Sequence, residues 1–299
     1  MQTNTPPRSS IRLTRRGRLA TLVAGAVVAG TAVVVPLLML AGDRGQTRTA
    51  TLVIPDGWRA SQVYDAVDKA LRLPPGSTRK SLGKAALKLP SEAAGNPEGY
   101  LFPATYPIPD GATPESLLRA MVDAANDKYD LAPVTAGAQR NAMNLHQAVT
   151  VASIVQAEAG SKADMAKVAR VILNRLQRGM PLQMDSTVDY ALSHDPARTG
   201  QSGSQAQSPY NSYQRMGLPP TPIDNPGQDA MRAALNPAPG DWLYFVAVKP
   251  GDTRFTADYD EHLRNVAEFN AYRQRPTDQP DTGVPWSPPS SLSGQPSAG

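Results

Sequence analysis

The stretch from Leu19 to Ala41 runs for 23 residues without a charged side chain, interrupted only by Thr21, Gly25, Gly30, Thr31 and Pro36. Wound as a helix it would measure roughly 34 Å, against a bilayer hydrocarbon core of about 30 Å. The apolar region of a cleaved signal peptide is only about 7 to 15 residues long. No small-x-small cleavage pattern follows Met39-Leu40, so the stretch predicts an uncleaved single-pass anchor. Five arginines (Arg8, Arg12, Arg15, Arg16, Arg18) precede it, whereas Arg44 and Arg48 after it are offset by Asp43. That asymmetry puts residues 1–18 in the cytoplasm and everything from Gly42 onward outside, which predicts a cell-membrane protein with an extracytoplasmic body.

The same arginines account for the charge. The whole chain carries +4, and because residues 1–18 hold five arginines and no acid, the remainder sums to −1. A basic footprint for nucleic acid is therefore missing from the body. Cysteine is absent, which excludes disulfides, thiol nucleophiles and thiolate metal sites. His146, His194 and His262 show no ligand spacing, and neither a phosphate-binding glycine loop nor a serine nucleophile elbow occurs. No metal or cofactor is expected.

The exported part predicts an α+β architecture. Thr49 to Ile54 is a β-branched strand candidate closed by Pro55-Asp56-Gly57, and Ser61 precedes Val63, Ala66, Val67, Ala70 and Leu71 at helical spacing. Residues 98–113 read as a turn-rich connection, and Glu115 to Tyr129 as a helix with Leu117, Leu118, Met121 and Val122 on one face. This segment, 49–130, would be a small αβ module. A second domain, 131–275, would open with a helix from Leu145 to Ala159 closed by Gly160, with Ser161 and Asp164 boxing the start of a helix that Gly179 stops. Ser193 to Pro209 reads as a flexible polar loop, and Leu218 to Gly227, with four prolines, as a stiff non-helical path. Trp242 to Val248 and Thr253 to Thr256 are paired strand candidates, followed by a helix over Tyr259 to Tyr272. In 276–299, 14 of 24 residues are Pro, Ser or Gly, a composition that predicts a disordered tail.

One side chain breaks the apolar patterning. Glu158 stands seven residues after Val151, four after Ile154 and three after Val155, so it continues the apolar stripe of its helix. Desolvation and the negative end of the helix dipole would both favour its protonated form, the state a general acid needs. The plainer alternative is a solvated glutamate at a fraying helix end. Asn174, Gln183, Asp185, Ser186, Thr187, Tyr190, Asn211 and Tyr213 supply hydrogen-bonding groups and rings of the kind that line a carbohydrate groove, or simply a polar loop surface.

Read in order, Val151-Ala-Ser-Ile-Val-Gln-Ala-Glu158, Val171-Ile-Leu-Asn174-Arg175-Leu, Gly179 to Tyr190, Tyr210-Asn211-Ser-Tyr213, Gly217 to Ile223, Asn225-Pro-Gly227 and Leu243 to Val246 resemble the YceG-like (MltG) family of endolytic murein transglycosylases. Glu98-Gly-Tyr-Leu-Phe-Pro103 and the strand-turn-helix after Thr49 resemble the LysM-like portion of that family. The resemblance implies that Glu158 is the catalytic residue and that Gln183, Asn211 and Tyr213 line the substrate groove; Asn174 and Asp185 join them as substrate-binding candidates on their side-chain chemistry. Two positions depart from the pattern: Gln156 stands where relatives often have a second glutamate, and Thr253 where some have a histidine.

The reaction so implied cleaves the β-1,4 bond between N-acetylmuramic acid and N-acetylglucosamine in peptidoglycan strands, leaving 1,6-anhydro ends, without a cofactor. A membrane anchor, a glycan-strand substrate, and a peptidoglycan synthase or division protein as partner follow from the same resemblance. Two alternatives compete with it: a water-using muramidase pairing Glu158 with Asp185 or Asp164, and a non-catalytic glycan-binding scaffold.

Overall fold

The computed structural model describes residues 50–130, 132–194 and 207–274. The expected spanning helix at 19–41, the basic arm before it, most of the polar loop at 193–209 and the tail after residue 275 lie outside those residues. Among the described residues, no helix is long and apolar enough to cross a membrane.

The chain is a mixed α+β structure. Strand β1 (Ala50–Val53) is followed by helices α1 (Ala60–Ala70) and α2 (Ser77–Ser81), strand β2 (Thr105–Ile108) and helix α3 (Pro114–Tyr129). β1 and β2 pair antiparallel, with Ala50 opposite Ile108 and Val53 opposite Thr105. β2 is a correction to the sequence reading, which took 98–113 for a connection. The turn signals at Pro103 and Pro109-Asp110-Gly111 flank the strand, and a two-stranded ribbon leaves one edge of β2 unpaired, which tolerates Pro107. Thr113 and Ser116 form a capping box at the start of α3, with Pro114 at the first helical position.

Helices α4 (Ala132–Arg140), α5 (Leu145–Glu158), α6 (Lys162–Gln177), α7 (Asp185–His194) and α8 (Gln228–Leu235) follow. The chain then forms the hairpin β3 (Tyr244–Lys249) and β4 (Asp252–Thr256) and closes with helix α9 (Tyr259–Arg273). Asn144 and Gln147 cap α5 reciprocally, each accepting the other's backbone N–H. α6 ends in a Schellman turn: Gly179 is left-handed at φ +62°, and the N–H groups of Gly179 and Met180 donate to the carbonyls of Leu176 and Arg175.

The corner between α5 and α6 differs from expectation. Gly160 is not a left-handed stop; Ala159 leaves the helix extended, at φ −78° and ψ 117°, because the chain runs straight on into α6. Ser161 and Asp164 do not form a capping box either, since the Ser161 hydroxyl donates to the Asp164 carboxylate and leaves the helix N–H groups uncapped. The segment from Asp185, whose polar residues suit either a carbohydrate groove or a loop surface in the sequence, is the helix α7. The strand, hairpin and helix readings over 242–272 agree with β3, β4 and α9 to within two residues.

Two large apolar clusters hold the chain. One fills the space between β1, α1 and α3, with Val63, Val67, Leu118 and Met121 at its centre. The other gathers α5, α6 and α8 around Ile154, Val155, Val168 and Ile172. Tyr100, Phe102, Ala125 and Tyr129 come from the N-terminal side of residue 130 but belong to this second cluster, so the two segments share a core.

Gly99 shows how tight the join is. It is left-handed at φ +86°, and a Cβ there would stand 2.5 Å from Pro222 Cγ and 2.9 Å from Val149 Cγ1. Gly99→Ala is therefore expected to cost at least about 2 kcal/mol, from backbone strain plus overpacking. Urea unfolding should show it as a lower midpoint at unchanged slope.

Candidate active site

Glu158 ends α5, and that helix is buried on nearly every side: Ala148 through Val155 are all inaccessible. The expected single apolar stripe is thus too modest a description, and Glu158 itself is only 1% exposed. A carboxyl in such a place needs hydrogen bonds. It receives two on one oxygen. Ser186 donates to Oε1 through its hydroxyl (2.7 Å) and its backbone N–H (3.2 Å), while Oε2 has no partner among the described residues. The N–H belongs to the first turn of α7, so the carboxyl lies against a helix N-terminus. Burial still dominates and raises the Glu158 pKa to about 7; the Ser186 bonds pull it down, and the charges of Asp185 and Asp189 push it up.

The start of α7 is held by the segment in front of it. Arg175, buried on α6, donates from Nε to Leu243 O (2.6 Å) and from Nη1 to Pro181 O (3.1 Å), Leu182 O (2.8 Å) and the Gln183 side chain (3.1 Å). Its guanidinium lies 5.2 Å from the Tyr244 ring centre. Gln183 adopts a left-handed φ of +53°, and the next two amides run into Ser212: Gln183 N–H to its carbonyl (3.0 Å) and Met184 N–H to its hydroxyl (2.9 Å). Arg175 and Ser212 thereby fix where Ser186 meets Glu158.

The residues expected to line a groove separate into two groups. Gln183 and Tyr213 border one small cavity, and the Tyr213 hydroxyl donates to Asp185, so these three come together near Ser186. Asn211 is fully buried, and its side-chain oxygen accepts the Tyr213 N–H, which supports the loop from beneath. Asn174 sits on α6 and donates to the carbonyls of Gly240 (3.2 Å) and Trp242 (2.9 Å), fastening the approach to β3. Asp164 is bound by Ser161 and Thr253. Among the described residues no three His, Asp or Glu side chains are grouped to hold a metal ion.

Glu98 and Asp224 are buried carboxyls near this site that the sequence does not single out. Glu98, from the Glu98-Gly-Tyr-Leu-Phe-Pro103 segment, is 1% exposed; it accepts from Ala60 N–H (2.8 Å), the Tyr190 hydroxyl (3.2 Å) and the Asn225 side chain (3.4 Å). Burial raises its pKa to about 7. Asp224 is 4% exposed, with its pKa driven well up by burial. Neither lies on a periodic apolar face, so no local pattern marked them.

Ser186 hydrogen bonds favour the ionised form of Glu158, so Ser186→Ala is expected to move its titration further above 7. Carbon-13 NMR of carboxyl-labelled glutamate, followed against pH in both proteins, measures the change directly.

Known proteins resemble this chain in sequence and fold. Endolytic murein transglycosylase of Bacillus subtilis is 41% identical over 173 residues, which is 58% of this chain and 48% of that protein. The enzyme of the same name from Streptococcus pneumoniae serotype 2 is 34% identical over 254 residues, 73% of this chain and 44% of its own. The chain thus spans about half the length of the curated relatives it matches. The crystal structure of a yceG-like protein, lmo1499 of Listeria monocytogenes, superposes with a TM-score of 0.63 at 30% identity, covering 73% of this chain and 76% of that one. The YceG-like family model matches residues 33–268, and with that extent of agreement the chain belongs to the YceG-like family.

Proposed function

We propose that this chain is a membrane-anchored endolytic transglycosylase that cuts the β-1,4 bond between N-acetylmuramic acid and N-acetylglucosamine within peptidoglycan strands and leaves 1,6-anhydro ends. The observation that carries the reading is Glu158: a carboxyl inside the core, one oxygen fixed by Ser186, the other unpartnered, with a pKa raised to about 7. The name shared by the curated relatives supports the same reaction.

Cleavage of this kind asks one group to give a proton and then to take one back. Protonated Glu158 supplies its proton to the departing glycosidic oxygen. As carboxylate it then accepts the proton of the muramic C6 hydroxyl while that oxygen closes on C1. The nucleophile is part of the substrate, so neither a second carboxyl nor an activated water is required. In this reading Gln183, Asp185 and Tyr213 orient the sugar, and Asn174 and Asn211 hold backbone groups nearby.

Asp185 gives the water-using muramidase its foothold, because its charge is felt at Glu158. A hydrolysed end is heavier than an anhydro end by one water, so mass spectrometry of the products separates the two reactions.

Residues 19–41 serve in this reading as the anchor, and residues 49–130, where β1 and β2 pair around α1 and α2, as the LysM-like module. A strand-polymerising synthase is the natural partner, since its product is the substrate.

Glu158→Gln is expected to abolish release of 1,6-anhydro products from purified un-cross-linked strands while leaving the circular dichroism spectrum unchanged. In the unaltered protein the acid must start protonated, so kcat/KM should fall about tenfold per pH unit above 7. For the anchor, a reporter active only in the cytoplasm and fused after Gly299 should stay silent; activity would reverse the orientation.

A further inference from the structure

Beside the Ser186 contact lies a second cavity, of about 220 Å³, walled by Gly57, Arg59, Gln156, Ser186 and Asp224. It takes no part in the proton transfers proposed for Glu158, yet Ser186 both lines it and bonds to Glu158. Three features mark it as built to receive something. Asp224, 4% exposed, keeps Oδ1 buried with no hydrogen-bond partner among the described residues, a costly arrangement that a protein keeps for a reason. Gln156 spends its side-chain oxygen on Gly227 N–H (3.1 Å), which leaves the amide nitrogen to donate. Gly57 holds the space open: a Cβ there would stand 3.8 Å from Gln156 Nε2 and 3.9 Å from Asp224 Oδ2, between the two.

The donors and acceptors specify the ligand's chemistry. Asp56, on the same wall, offsets the positive charge of Arg59 and makes the wall a poor seat for an anion, and no trio of acidic or histidine ligands is grouped for a cation among the described residues. An acceptor on one side and an N–H donor on the other complement a group that itself presents N–H and C=O in opposite directions. That group is a trans secondary amide. We propose that the cavity lined by Gly57, Gln156 and Asp224 is a substrate subsite for a secondary amide, with Asp224 accepting its N–H and Gln156 donating to its carbonyl. This rests on the glycan-cleaving reading, and there the amide has two sources: the acetamido group of a sugar or the stem peptide on its lactyl arm.

Asp224→Ala separates binding from folding. It removes an unpaired buried carboxyl, so the melting temperature should hold or rise, while KM for intact strands should rise about tenfold with a much smaller change in kcat, the loss of one hydrogen bond in a dry site. Strands stripped of their stems and strands chemically de-N-acetylated identify the source. Whichever treatment raises the KM of the unaltered protein to that of the variant, and leaves the variant with no further loss, names the amide. An unchanged KM for Asp224→Ala on intact strands overturns the subsite, and so does a loss confined to kcat with a lower melting temperature. Should the unaltered protein cut no strand at all, the proposed reaction fails instead. The subsite then stands or falls on calorimetric binding of chitotetraose and of a disaccharide-peptide to Glu158→Gln with and without Asp224→Ala: weaker binding of either supports it, and equal binding of both removes it.

Discussion

A carboxyl closed into an apolar core at the end of a helix is tolerated only where something inside the protein takes the place of water, and here that is the first turn of α7. Ser186 offers Glu158 a hydroxyl and a backbone N–H at a helix N-terminus, enough to hold one oxygen in place but too little to keep the group fully ionised at neutral pH. Everything that positions α7 therefore acts on the acid. Arg175 ties Pro181, Leu182 and Gln183 to the start of β3, Ser212 receives the next two amides, and the left-handed Gln183 turns the chain so that Ser186 faces α5. A buried arginine solvated by backbone carbonyls is held rigidly, because each lost bond would leave its charge poorly solvated.

The N-terminal segment is bound into the same device. Asn225 accepts Leu101 N–H at its side-chain oxygen and donates to Trp58 O, and Gly57 N–H donates to the Asn225 carbonyl. Glu98 links the first turn of α1 to Tyr190 on α7 and to Asn225. The helix that carries Ser186 is thus braced from the 49–130 segment as well as from α6. The Pro55–Arg59 turn, which would otherwise be a surface connection, becomes a wall beside the acid.

How much of this was legible in the sequence follows from the range of the forces involved. Glu158 could be read because its spacing from Val151, Ile154 and Val155 is a local property, and the Gly179 stop and the β3–β4–α9 sequence because apolar periodicity and glycine punctuation are local too. α7 could not be read in the same way. Asp185-Ser-Thr is a natural helix opening, yet the same residues suit a polar loop, and the interactions that decide between them come from Ser212 and Arg175 at a distance along the chain. β2 was hidden by Pro107, whose missing N–H matters only if both strand edges are paired. Of the polar groove candidates, Asn174 donates to two backbone carbonyls and Asn211 accepts a backbone N–H, bonds that a sequence cannot distinguish from contacts to a ligand. Glu98 and Asp224 lay beyond any local signal, since each is buried by segments distant in sequence.

The unsatisfied oxygens give the last step of the argument. A fold selected for stability alone would pair or remove a buried carboxyl, since each one left without a partner costs about 1 to 3 kcal/mol. Among the described residues the orphaned buried carboxyl oxygens are Glu158 Oε2 and Asp224 Oδ1, and both residues belong to the surroundings of Ser186, one bonded to it and the other lining the same cavity. Glu98, equally buried but bonded to three partners, shows that this chain can satisfy a carboxyl where its work is to join segments. The contrast distinguishes the acids that hold the fold together from those kept ready for a bond that only a substrate completes.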